Sequence, residues 1–138
     1  MKHTICTALL ALTAAAPLAH AADLTVRIDN VRGSQGQLMV AVYDSAATFL
    51  RRPLRELGTA ANAGTTTLVV KDLAPGEYAV AIYHDANGNG KMDRNMMGIP
   101  LEPFAFGNDA QGTMGPPSFD AARLTLPEAG LATRVTLR

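Results

Sequence analysis

The run from Leu73 to Asp93 restricts the fold of this chain more than any other. Leu73-Ala74-Pro75-Gly76 is a turn, because proline fixes φ and glycine accepts positive φ. Glu77-Tyr78-Ala79-Val80-Ala81-Ile82-Tyr83 follows as an apolar run of strand length. It passes straight into His84-Asp85-Ala86-Asn87-Gly88-Asn89-Gly90-Lys91-Met92-Asp93. A strand is therefore closed at one end by a tight turn and at the other by a loop crowded with oxygen donors.

Within that loop Asp85, Asn87 and Asn89 stand at alternate positions, a glycine follows, and Asp93 lies four residues past Asn89. This matches the first nine positions of a D-x-[DN]-x-[DN]-G calcium loop. Calcium is a hard cation that needs several oxygens at once, and alternate side chains on a curled loop converge on one point. Asp85, Asn87, Asn89 and Asp93 are the expected side-chain ligands, with Lys91 giving its backbone carbonyl. The pattern departs at its twelfth position, where Met96 replaces a bidentate glutamate. Only two carboxylates remain, and Lys91 and Arg94 add positive charge. Affinity is then expected to be weak, on the order of 10⁻⁴ to 10⁻³ M, unless Glu102 or Asp109 folds back as a further ligand. The competing reading is a metal-free turn, since Asn87-Gly88 and Asn89-Gly90 are both turn dipeptides.

The remaining segments read mostly as short strands. Leu24–Asp29 alternates apolar and polar residues, Leu38–Tyr43 is mostly apolar, and Thr65–Val70 is β-branched. Ala122–Leu126 and Ala132–Leu137 close the chain. Ser45–Leu57 reads as a loop with one helical turn near Ala46–Leu50, and Gly98–Pro117 as a long ordered loop with a short strand. About seven strands predict an all-β, antiparallel two-sheet sandwich, immunoglobulin-like or prealbumin-like.

The N-terminal segment is expected to be a cleaved secretory signal. Lys2 and His3 precede an apolar run from Ile5 to Leu18, and Ala19-His20-Ala21 is an A-x-A site with cleavage after Ala21. Cys6 has no lipobox before it. One β-sandwich domain then occupies residues 22–138, with the acidic loop at 84–95, in the periplasm or secreted. It contains no cysteine, so disulfides are excluded and a structural metal gains weight as the staple. Basic and acidic residues balance at 12 each, without a basic stripe, so nucleic acid is not an expected partner. No later apolar run is long enough to span a membrane.

Leu73-Ala74-Pro75-Gly76-Glu77-Tyr78 resembles the L-x-P-G-x-Y signature of transthyretin-like and collagen-adhesin B-type sandwiches. The acidic loop, Gly98-Ile99-Pro100-x-Glu102 and Gly115-Pro116-Pro117-Ser118-Phe119 extend the likeness over residues 24–138. Together these motifs resemble the DUF2141 family of exported bacterial proteins. The resemblance implies an exported β-sandwich and supplies no catalytic residues.

Other candidates carry two readings each. His84 is either a general base oriented by Glu102 or Asp93, in a small metal- or His-dependent hydrolase, or a strand-end histidine bonded to a carbonyl. No G-x-S-x-G element accompanies it. Met92, Met96, Met97 and Met114 either join His84 as soft copper(I) ligands or fill space. Glu102, stiffened between Pro100 and Pro103, reaches the acidic loop or stays exposed. Phe104, Phe106 and Phe119 form an apolar binding surface or plug one end of the sandwich. The leading expectation is a non-enzymatic exported module with a calcium-stabilised loop. Its binding residues His84, Glu102, Phe104, Phe106 and Asn108 would meet an envelope protein, a carbohydrate or a small molecule.

Overall fold

The computed structural model describes residues 20–138, and the leader assigned to residues 1–21 lies almost wholly outside them. Among the described residues eight strands form two sheets. These are β1 (Ala22–Val31), β2 (Gln37–Tyr43), β3 (Arg55–Ala60), β4 (Gly64–Leu73), β5 (Gly76–Asp85), β6 (Phe104–Phe106), β7 (Arg123–Leu126) and β8 (Leu131–Thr136). Sheet one is ordered β4-β1-β8. Sheet two is ordered β3-β2-β5-β6, and β7 shares the β6 edge of β5, beside Gly76–Ala79. The chain is an all-β sandwich, as its strand patterns predict.

Alternation builds the core. Leu24, Val26 and Ile28 of β1 face Leu38, Val40 and Val42 of β2 and Val80 and Ile82 of β5, and all are essentially inaccessible. The L-x-P-G-x-Y turn has a visible cause: the Tyr78 hydroxyl donates to the Ala74 carbonyl at 2.6 Å, tying the turn to the strand it starts. Gly36 is required where it stands. Its φ is +69°, and a Cβ there would lie 2.0 Å from the Asp85 carbonyl oxygen, at the mouth of the acidic loop.

Three details differ from the sequence expectation. Arg55–Ala60 is an edge strand rather than the end of a loop. It pairs on one side only and is largely exposed, so it lacks the apolar alternation that marks a strand. Phe119–Ala122 is one helical turn, α1, before β7, because the Ser118 hydroxyl accepts from the Ala121 N–H at 3.2 Å. The sandwich is not wholly antiparallel: β8 lies parallel to β1, with Leu24 opposite Leu131.

Strand β5 is covered on its inward face and, around Ala79, on its outer face as well. Its outer side packs Ala79 with Tyr43, Phe119 and Ala122, and Phe49 joins them edge-to-face at 5.3 Å from Tyr43 and 6.0 Å from Phe119. The outer face of sheet one instead carries a charged cluster. Asp29 is buried and accepts from Thr65 Oγ1 at 2.8 Å, Arg27 at 3.1 Å and Arg134. No helix among the described residues is long and apolar enough to cross a membrane.

Replacing Ile82 by alanine should lower the unfolding free energy by about 2–5 kcal/mol in urea titration. Val69→Ala, on an exposed face of β4, should change it by less than about 0.5 kcal/mol.

Candidate metal loop and ligand cavity

The acidic loop winds around one carboxylate. Asp85 ends β5 opposite Gln37 of β2 and is fully inaccessible. Its Oδ1 accepts from the Asn89 N–H at 3.1 Å, and its Oδ2 accepts from the Gly90 N–H at 2.8 Å and the Gln37 amide at 3.4 Å. Burial pushes this carboxyl up, but the Gly90 N–H, the Gln37 amide and the Asn89 N–H outweigh it and hold it below the ordinary value. No cationic side chain pairs with Asp85 among the described residues.

The alternating residues then close on Asp93. Asn87 Nδ2 donates to Asp93 Oδ2 at 2.7 Å, and Asn89 Nδ2 donates to both oxygens at 2.9 and 3.1 Å. Their carbonyl oxygens turn inward along the chain, Asn87 Oδ1 to the Asn89 N–H and Asn89 Oδ1 to the Lys91 N–H. Past the loop, Leu101 N–H donates to the Asp93 carbonyl and Asp93 N–H to Glu102 Oε2, at 2.8 and 3.1 Å. Glu102 thus reaches the loop from nine residues on. Its other oxygen, Oε1, is buried without a hydrogen-bond partner among the described residues. Asp109 goes elsewhere, accepting from the Thr136 N–H at 2.7 Å.

So Asp85, Asn87, Asn89, Lys91, Asp93 and Glu102 are gathered in one loop. Among the described residues, however, no three His, Cys, Asp or Glu side chains stand close enough to hold an ion by themselves. Any cation here depends on amide and backbone oxygens as well.

The binding residues named from sequence separate. His84 is on the inward side of β5, 4% exposed, and its Nε2 donates to the Gln35 carbonyl at 2.8 Å. Its backbone N–H donates to the Pro103 carbonyl at 2.9 Å. It is the carbonyl-bonded histidine of the two readings, with no open side from which to approach a substrate. The Asn108 amide is committed to the Arg123 and Ala121 carbonyls, at 2.6 and 3.3 Å. Phe119 is buried against Phe49. Only Phe104 and Phe106 of the five line an open cavity.

That cavity, of about 500 Å³, lies on the outer face of sheet two and contains residues sequence reasoning passed over. Ala41 of β2 is opposite Ala81 of β5, and this pair of small side chains makes its floor. The same row continues to Glu56 of β3 on one side and to Phe106 of β6 on the other. Tyr43 and Tyr83 stand two residues away along the strands, with Leu50, Met97 and Met114 at the rim. Leu50 and Met114 take φ of +57° and +58°, a strained region for bulky side chains. Met92, Met97 and Met114 all line the cavity, but inward-facing His84 does not join them as the copper reading requires. The sequence shows Ala41 and Ala81 each within an apolar strand, but only the β2–β5 register sets them opposite each other.

The family model described as an uncharacterized protein conserved in bacteria, DUF2141, matches residues 26–134, so the chain belongs to that family. No curated protein and no solved structure matches it.

The lowered Asp85 and Asp29 carboxyls fix a pH dependence. Each stabilises the fold fully above the unfolded-state value of about 3.9, and that stability is lost as pH falls through the folded value. Denaturation midpoints should therefore drop as pH falls below about 4. Asp85→Asn should flatten this acid limb relative to the parent.

Proposed function

We propose that this DUF2141 member is an exported, non-enzymatic binding module whose acidic loop is fixed by calcium or an equivalent divalent cation. The observation that carries the reading is Glu102 Oε1, a buried carboxylate oxygen with no donor among the described residues, on a side chain bonded to Asp93 N–H. Leaving such an acceptor unsatisfied costs about 1–3 kcal/mol or more for a charged group. A hard cation supplies the missing partner. Asp85, buried without a cationic neighbour among the described residues, would supply a second carboxylate to such an ion. Glu102 would stand in for the glutamate that Met96 displaces. Asp85, Asn87, Asn89, Asp93 and the Lys91 carbonyl would complete an all-oxygen set, the chemistry calcium prefers over softer metals.

Export is supported by the A-x-A segment ending at Ala21 and by β1 beginning at Ala22. The cation's role in this reading is mechanical. It would fix the segment from Asp85 to Glu102, which supplies Met92, Arg94 and Ile99–Pro100 to the wall of the cavity. The module then offers a preset surface to an envelope protein, a carbohydrate or a small molecule.

Melting curves with EDTA and with calcium test this. At tenfold excess over its dissociation constant, calcium should stabilise the fold by about 1.4 kcal/mol, a rise of roughly 4–8 °C at this chain length. Asp85→Ala and Glu102→Gln should each abolish the rise. No rise with calcium, magnesium or manganese in the parent would sink the metal reading and leave a plain Asx-Gly turn.

A further inference from the structure

The cavity on the outer face of sheet two points to a ligand class. Its volume of about 500 Å³ falls within the roughly 300–1,000 Å³ of small-molecule sites. Its walls are mostly apolar or aromatic, with few polar groups. Two charged side chains line it, Glu56 and Arg94, and neither has an ion-pair partner among the described residues. They are not equivalent. The Arg94 guanidinium donates to the Gly98 carbonyl at 2.9 Å and so helps hold its own loop. The Glu56 side chain forms no hydrogen bond within the described residues and continues the Ala41–Ala81 floor row.

The aromatic rings favour the same sign. Tyr83 is opposite Phe104 across β5 and β6, and Ala81 is opposite Phe106. The Phe104 and Phe106 rings sit edge-to-face at 5.8 Å. Faces of such rings attract cations, most strongly where water is excluded. At the rim Met97 and Met114 are 84% and 103% exposed, flexible thioethers able to fold over an apolar body.

We propose that this cavity binds one small organic cation with an apolar body, an alkyl- or arylammonium compound, with Glu56 as its counter-charge and Tyr43, Tyr83, Phe104 and Phe106 as its aromatic walls. This deepens the binding-module reading and does not depend on the metal.

The test titrates the purified protein with dodecyltrimethylammonium, dodecyl sulfate and dodecyl maltoside below their micellar concentrations, in calcium and in EDTA. Calorimetry and tyrosine emission are the readouts, since two of the three tyrosines line the cavity and the chain has no tryptophan. The ammonium compound should bind saturably, one per chain, and more tightly than the other two. Glu56→Gln, on an exposed edge strand, and Ala81→Leu, which fills the floor, should each weaken it roughly tenfold, with melting curves confirming that both variants fold. Equal binding of all three amphiphiles, tighter binding of the sulfate with dependence on Arg94, or ammonium binding indifferent to Glu56→Gln would overturn the proposal. Glu56-dependent binding without any calcium-induced melting shift upholds it and removes only the metal. A calcium shift with no ammonium binding in either buffer does the reverse.

Discussion

Strand β5 is buried along its inward side and sealed at Ala79 and Asp85 on its outer side, and the rest of the molecule is arranged around that fact. Its inward residues Tyr78, Val80 and Ile82 complete the core between the sheets, while Ala79 is sealed beneath Tyr43, Phe119 and Ala122. A strand buried on both sides cannot shift register by one residue without exchanging the two sets. Everything at its ends is therefore fixed in space. Tyr78 locks the entry turn through Ala74, and Asp85 at the exit is held where the backbone of the next loop must wrap it. Gly36 pressing on the Asp85 carbonyl adds a second restraint from the neighbouring turn.

The acidic loop illustrates how a buried charge organises backbone. A carboxylate without water needs donors, and the nearest are the N–H groups of Asn89 and Gly90, which forces the chain to curl. Asn87 and Asn89 then gather on Asp93. The two outer faces of the sandwich solve the same problem differently. Sheet one matches Asp29 with Arg27, Arg134 and Thr65 across three strands. Sheet two leaves small residues at Ala41 and Ala81 and covers them with loops, which produces a cavity instead of an ion-pair surface.

Much of this was legible in the chain before folding. The strands that form the core announce themselves by alternation, and the Asx-Gly spacing marks the loop because each side chain bonds backbone two residues on. Glu102 was legible as a loop contact because proline on both sides limits where its side chain can go. The edge strand β3 was not, since Arg55 and Glu56 face solvent and Gly58 has no side chain to show a face. The parallel β1–β8 pair was not either, because local pattern carries no information on which sheet a terminal strand joins. The cavity escaped for a related reason: it arises from what Ala41 and Ala81 lack, seen only when register sets them opposite each other.

The placement of β1 bears on how this chain reaches its fold. The first strand is the middle strand of sheet one, and one of its two partners is the last strand, so Leu24 waits for Leu131. Closing so long a loop carries a large entropic cost, which slows folding, and growth from the N-terminus cannot finish the sheet in order. Until β8 docks, one edge of β1 is open to pairing with other chains. Arg27 and Asp29 on its outer face are the charges that discourage such pairing. A polypeptide stopped short of Leu131 lacks one of the three strands of sheet one and the parallel register that seals it.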